Sequence, residues 1–136
     1  MELIKFLIPF LCLIESNNDP NAIGDNGKAV GILQIHECVV HDVNKYILAN
    51  SPQSGTYTLE DRLDPKKSKE ICSIYLTIWG RYYEETTNIP ADIEVLSRIW
   101  NGGAKGWSKS STEKYWDKVE SKIMEKREEV KNSNNS

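Results

Sequence analysis

The chain has 136 residues, of which 39% are hydrophobic and 27% charged, and its net charge is −3. This length and composition predict one soluble globular domain. The acidic balance argues against a nucleic-acid-binding protein, which normally presents a basic surface, and it gives no general attraction to an anionic polymer.

The N-terminal segment, residues 1–14, is apolar and carries one early lysine. It resembles a short secretory signal, but no small-residue cleavage site follows it, and it is too short to span a bilayer. We therefore expect a buried helix over residues 3–16, in which Pro9 either introduces a kink or lies near the first turn.

A glycine-rich stretch follows the first helix. Within it, the pair Asn26-Gly27 lies between the apolar residues Ile23 and Val30. Asn-Gly between apolar positions is typical of a β-hairpin turn. A small hairpin is therefore expected directly after the first helix.

The rest of the chain predicts four more helices. They are expected over residues 37–49, after an Asp64 N-cap with Pro65 in the first turn, from Pro90 to Trp100, and from near Ser110, where Ser110 and Glu113 form a capping-box pattern. Residues 50–63 are expected to form a surface loop. Residues 131–136 are expected to be a disordered tail, which leaves a single domain over residues 1–130.

The cysteines Cys12, Cys38 and Cys72 have irregular spacing and no CxxC motif. This pattern describes neither a disulfide framework nor a zinc site. Buried free thiols are expected, with a single Cys38–Cys72 bridge as the main alternative. His36 and His41 are five residues apart and do not share a helix face, so no metal and no cofactor are expected.

Glu15 is the candidate acid. It follows an apolar run and lies near the C-terminus of the first predicted helix. Desolvation and the negative end of the helix dipole both raise the pKa of a carboxyl group. Cleavage of a glycosidic bond needs a carboxylic acid that is still protonated near neutral pH. These features alone are equally typical of a structural glutamate at a helix end.

Four elements in order resemble the signature of the soluble lytic transglycosylases and goose-type lysozymes. They are Glu15-Ser16, then Gly31-Ile32-Leu33-Gln34, then Trp100-Asn101-Gly102-Gly103, then the spaced set Thr112, Tyr115 and Val119. Together they cover roughly residues 8–119. The resemblance implies a lysozyme-like fold, mainly α (α+β), with a small β-hairpin after the helix of the catalytic Glu.

The resemblance also implies roles for individual residues. Glu15 would be the general acid and base, and Gly31 would let the backbone approach the substrate closely. The residues expected to line the cleft and to hydrogen-bond the sugar or Glu15 are Ser16, Gln34, Asn101 and Tyr115. Structural alternatives stay open for three of these. Gln34 could satisfy hairpin backbone groups, Asn101 could end a helix, and Tyr115 could fill the core.

Two positions depart from the family pattern. Trp100 replaces a tyrosine, which removes a hydroxyl but leaves a surface on which a sugar could stack. His36 stands where goose-type lysozymes carry an aspartate. Asp25, 11 residues earlier, resembles the other aspartate of that hairpin and is the best candidate for a second catalytic carboxylate. An Asp before Asn-Gly is also a standard turn former.

The function implied is cleavage of the β-1,4 bond between N-acetylmuramic acid and N-acetylglucosamine in peptidoglycan. A lytic transglycosylase forms a 1,6-anhydro product by intramolecular attack, so one carboxylate can suffice, whereas a lysozyme uses water that a second carboxylate normally activates. The missing aspartate at His36 favours the transglycosylase over the lysozyme alternative, in which Asp25 activates water. The alternative from another class is a non-catalytic glycan-binding or virion structural protein.

The expected partner is the peptidoglycan glycan strand, bound by a monomer without nucleic acid. The expected place of action is the cell wall. Because the sequence has no clear secretory signal and no membrane anchor, delivery by a phage or a non-standard export route is expected.

Overall fold

The computed structural model describes residues 2–135, and this part of the chain is mainly helical with one small antiparallel hairpin. The helices are α1 (Glu2–Ser16), α2 (Glu37–Asn50), α3 (Pro65–Thr87), α4 (Ile93–Gly102) and α5 (Glu113–Asn134). Strands β1 (Ile23–Gly24) and β2 (Ala29–Val30) follow α1. The prediction of a mainly α fold with a hairpin after the first helix is confirmed.

Helix α1 lies at the centre of the fold, where it contacts α3, α4 and α5. Its apolar residues recur at helical spacing, so one face is buried, namely Ile4, Leu7, Ile8, Leu11 and Cys12. Pro9 lies inside the helix on its exposed side, where water can reach the carbonyl group that the missing N–H leaves unbonded. The helix ends at Ser16, which places Glu15 in its last turn.

The hairpin turns at the predicted Asn-Gly pair. Ile23 pairs with Val30 and Gly24 with Ala29, and the backbone reverses through Asn26 and Gly27, which both have positive φ. Beyond the hairpin, an isolated bridge between Val30 and Ile35 folds residues 31–34 into a tight loop. This loop turns the chain toward α2.

Two helix starts differ from the prediction. Helix α4 begins at Ile93 rather than Pro90, because the Asp92 carboxylate caps it by accepting the Val95 N–H at 2.9 Å. Helix α5 begins at Glu113, and Ser110 does not cap it because the preceding 3-10 turn, Ser110–Thr112, holds that residue. Asp64 does cap α3, as expected, by accepting the Lys66 and Lys67 N–H groups.

The expectation of a disordered tail over residues 131–136 is corrected for residues 131–134, which are helical, whereas Ser136 lies outside the described residues. Helix α5 continues to Asn134, since neither proline nor glycine follows Val130 and adding residues to an existing helix costs little. The predicted surface loop over residues 50–63 contains two 3-10 turns, Pro52–Ser54 and Leu59–Leu63.

The three cysteines are free. Cys12 and Cys72 are buried as expected, whereas Cys38 is exposed on α2, so the expectation of burial was wrong there. The alternative Cys38–Cys72 bridge is not formed. Within residues 2–135, no helix is long and apolar enough to cross a membrane.

Candidate active site

A cavity of about 320 Å³ opens where the C-terminal ends of α1 and α4 face the hairpin and the start of α2. Several of its lining residues were predicted from the sequence, namely Glu15, Gln34, Trp100 and Asn101. Others were not predicted to lie there, namely Ile35, His36, Cys38, Val39, Tyr75, Gly102 and Gly103. The cavity is therefore lined both by helices and by the loop that follows the hairpin.

The Glu15 carboxyl group is partly buried at the end of α1. The Tyr115 hydroxyl, brought in by α5, donates a hydrogen bond to Glu15 Oε2 at 2.7 Å. Burial raises the pKa of Glu15 to about 7, although the Tyr115 hydrogen bond, the Lys118 charge and the Trp100 indole favour the carboxylate and lower it. Near neutral pH, Glu15 therefore exists in both forms and can donate or accept a proton.

Tyr115 is suited to remain a donor. It is 7% exposed, and burial, followed by the Glu15 charge, raises the pKa of its hydroxyl well above the usual value. The phenol therefore stays neutral and keeps its proton.

Ser16 does not have the position that the resemblance implied. Its hydroxyl donates to the Ile32 carbonyl at 2.7 Å and accepts the Asp19 N–H at 3.0 Å. The side chain thus ties the end of α1 to the loop after the hairpin, and it does not border the cavity. Its effect on Glu15 is to hold the helix end in place.

Gly31 also has a structural task. It is buried with φ of +85°, and a Cβ added there would collide with the Arg62 carbonyl oxygen. The close backbone approach expected at this glycine therefore exists, but it is made to the chain itself rather than at the cavity surface. The reason is that the 3-10 turn Leu59–Leu63 packs directly on the hairpin loop.

Gln34 combines both expected roles. Its Nε2 donates to the Ala22 and Gly31 carbonyls, each at 3.0 Å, which satisfies hairpin backbone groups. Its side chain nevertheless borders the cavity. The residue adopts φ of 52°, a strained backbone conformation that the surrounding hydrogen bonds hold.

Asp25, the predicted second carboxylate, is 58% exposed, and its Oδ2 lies 3.4 Å from His36 Nε2. His36 borders the cavity, whereas Asp25 does not. Asp25 and His36, which are 11 positions apart in the sequence, therefore lie side by side, and Asp25 does not lie beside Glu15. The sequence analysis considered His36 as a possible metal ligand and as a departure from the family pattern, but it did not predict the contact with Asp25.

Trp100 and Asn101 lie at the end of α4. Trp100 is 9% exposed and its ring meets the Tyr75 ring edge-on, with centroids 5.6 Å apart. Asn101 is exposed and borders the cavity. Tyr75, a buried residue of α3, also borders the cavity, and helical spacing alone could not show that this face of α3 meets the cavity.

Within residues 2–135, no group of three or more His, Cys, Asp or Glu side chains is arranged to hold a metal ion. The two histidines have separate carboxylate neighbours: His36 lies beside Asp25, and His41 lies 3.4 Å from Glu37. They therefore do not converge on one point.

Comparison of the chain with protein-family models, with curated proteins and with solved structures finds no match. The chemistry of the site therefore has to be argued from its geometry. A partly buried carboxyl group that a neutral phenol holds beside an open cavity can protonate an oxygen leaving group. The exposed Asn101 amide on the same cavity supplies hydrogen-bond donors and an acceptor for a polar ligand.

Proposed function

We propose that the protein cleaves the glycan strand of peptidoglycan, at the β-1,4 bond between N-acetylmuramic acid and N-acetylglucosamine, with Glu15 as the general acid. The observation that carries this proposal is the 2.7 Å hydrogen bond from Tyr115 to Glu15 at the cavity wall. It fixes one carboxyl oxygen, while burial raises the pKa of Glu15 to about 7. The ordered motifs that resemble the soluble lytic transglycosylases and goose-type lysozymes suggest the substrate and a lysozyme-like fold.

The reaction we favour is lytic transglycosylation. Glu15 protonates the glycosidic oxygen as the bond breaks, and its carboxylate then accepts the proton of the muramoyl 6-hydroxyl, which attacks C1. The products are a new non-reducing end, where the leaving N-acetylglucosamine carries a free 4-hydroxyl group, and a 1,6-anhydro ring on the N-acetylmuramic acid. Glu15 is the one carboxylate among the described residues that border the cavity, and this mechanism needs only one.

Hydrolysis by a lysozyme mechanism is the second candidate, and the contact between Asp25 and His36 favours it. With Nε2 beside Asp25 Oδ2 at 3.4 Å, the imidazole at the cavity edge has a second nitrogen that could accept a proton from water. In this alternative, Asp25 would orient His36 and would not touch the water itself.

Mass spectrometry of muropeptides released from purified sacculi tests the proposal. We expect 1,6-anhydro ends from the wild type, lighter by one water than hydrolysis products, and a loss of about 10²–10⁴-fold in Glu15→Gln. Glu129→Gln, whose side chain is 70% exposed on α5, is the control and should keep the wild-type rate.

Three outcomes would contradict the proposal in different ways. Wild-type activity in a folded Glu15→Gln variant, as judged by circular dichroism, would show that Glu15 is not the acid. Reducing ends without anhydro ends would replace transglycosylation with hydrolysis. A folded wild-type protein that binds sacculi but releases nothing would be a non-catalytic glycan-binding protein.

A further inference from the structure

A second group of aromatic and acidic side chains lies on α2 and α3, outside the residues that border the cavity. The Trp79 indole N–H donates to Asp42 Oδ2 at 3.3 Å. The rings of Trp79 and Tyr82 meet edge-on, with centroids 5.6 Å apart and planes at 82°. Tyr82 is 41% exposed, and the other two side chains are partly exposed. We call Asp42, Trp79 and Tyr82 the distal platform.

The distal platform adjoins the cavity on both helices. Cys38 and Tyr75 border the cavity, and Asp42 and Trp79 each follow four residues later on the same helix. Residues four apart are neighbours along one helix face, about one turn of 5.4 Å further on. Burial raises the pKa of Tyr75 to about 12 and the Asp42 charge adds to this rise, which agrees with a carboxylate close to the cavity wall.

The chemistry of the platform suits an uncharged sugar ring. A pyranose has an apolar C–H face that packs on aromatic rings, and hydroxyl groups that donate to a carboxylate. The bond from the Trp79 indole occupies Asp42 Oδ2, which orients the carboxylate and leaves Oδ1 for a hydroxyl. The same negative charge disfavours an anionic ligand.

We propose that the distal platform is a binding subsite for one further N-acetylhexosamine ring of the glycan strand whose bond is cut beside Glu15. This inference rests on the proposed function, since it assigns the ring to the same strand. It predicts that the protein prefers long glycan strands, because only a strand that extends beyond the cavity contacts Asp42 and Tyr82.

The test measures the affinity of chitotriose and chitohexaose by calorimetry in the full-length Glu15→Gln protein, which should not cleave them. Asp42→Ala and Tyr82→Ala are each added to this background. We expect about tenfold weaker binding of the hexamer and unchanged binding of the trimer. Phe6→Ala on α1, whose ring is 46% exposed, is the matched aromatic control and should alter neither affinity.

Trp79 packs against the core, so its truncation could unfold the protein, and the two other variants avoid this problem. Equal losses for trimer and hexamer, no loss for the hexamer, or no binding of either oligosaccharide would overturn the subsite. If these variants fail in this way while sacculus cleavage still depends on Glu15, the proposed function stands. Length-dependent binding with no cleavage by the wild type would support the subsite and overturn the enzymatic function.

Discussion

The two sides of the cavity are built differently. On the helical side, α1, α4 and α5 bring Glu15, Trp100 and Tyr115 together from distant parts of the chain, and the Tyr115 hydroxyl binds the carboxyl group directly. On the hairpin side, the Gln34 amide is bonded to nearby backbone carbonyls, and Asp25 meets His36 near the surface.

The difference shows that the carboxyl groups of Glu15 and Asp25 cannot replace each other, because their exposure to water differs. Burial raises the pKa of Glu15 to about 7, so this group can act as an acid at neutral pH. Asp25 is 58% exposed, and water solvates its charge. The helical side therefore holds the carboxyl group that can exchange a proton near neutral pH, while the hairpin side contributes to the shape of the cavity.

The largest effect on stability is expected at Gly31, on the hairpin side. Gly31→Ala would place a methyl group against the Arg62 carbonyl oxygen at a positive φ, so we expect a loss of at least about 3 kcal/mol in the free energy of unfolding. Gly27→Ala has a similar φ but nothing within 4 Å of the added Cβ, and it should cost only about 1 kcal/mol. Urea denaturation of both variants measures the difference.

The same pair of variants tests whether the hairpin side shapes the cavity or contacts the substrate at Gly31. A Gly31→Ala protein as stable as Gly27→Ala, but with weakened binding of chitooligosaccharides, would show that this glycine contacts the sugar. The hairpin side would then contact the substrate at this residue and would not only shape the cavity.

A smaller effect, of at most about 3 kcal/mol, is expected from the pH dependence of stability at Glu15. Because folding raises the pKa of Glu15 from 4.5 to about 7, the protonated form stabilises the fold below pH 4.5, and this contribution is lost as pH rises through 7. Glu15→Gln removes the penalty for the buried charge, so the variant should gain stability relative to the wild type at pH 8 but not at pH 4.5.

Urea denaturation of the wild type and the variant at the two pH values measures this gain. Glu129→Gln on the exposed face of α5 should show no comparable difference between them, because a solvated carboxylate carries no desolvation penalty that the substitution could remove. An equal effect of Glu15→Gln at both pH values would mean that Glu15 is solvated like a surface residue. The raised pKa of Glu15 would then no longer distinguish the helical side from the hairpin side.

Local signals in the sequence predicted much of the framework. Three features each depend on residues within a few positions of one another, namely the end of α1 beside Glu15, the Ile23–Val30 pairing and the Asp64 cap. The start of α4 was predicted at Pro90, whereas the helix begins at Ile93 because the Asp92 carboxylate caps it by accepting the Val95 N–H.

The site was predictable only in part, because its contacts join distant positions. No local pattern connects Glu15 with Tyr115, and only the order of the motifs suggested that they share a cleft. The collision that a side chain at Gly31 would make with the Arg62 carbonyl depends on how a later turn packs, which periodicity does not reveal. Composition likewise gave no reason to expect the bond between Trp79 and Asp42.

The smallest effect is expected from Asp25→Asn, and its size separates the two reaction mechanisms. Asn keeps the turn conformation, since both residues tolerate positive φ, and Asp25 has φ of 49°. The substitution removes only the charge beside His36. In transglycosylation the attacking hydroxyl already belongs to the substrate, so no protein base has to orient water, and Asp25→Asn should keep nearly the wild-type rate and release 1,6-anhydro ends.

The hydrolytic alternative predicts a different result for the same variant. If Asp25 orients His36 to activate water, loss of its charge should lower the rate substantially, and the wild-type products should carry reducing ends that a reductant labels. His36→Gln should then be impaired to a similar degree, because both substitutions break the 3.4 Å contact. We expect instead that both variants remain active, since the proposed general acid is Glu15 on the helical side, where Tyr115 holds it.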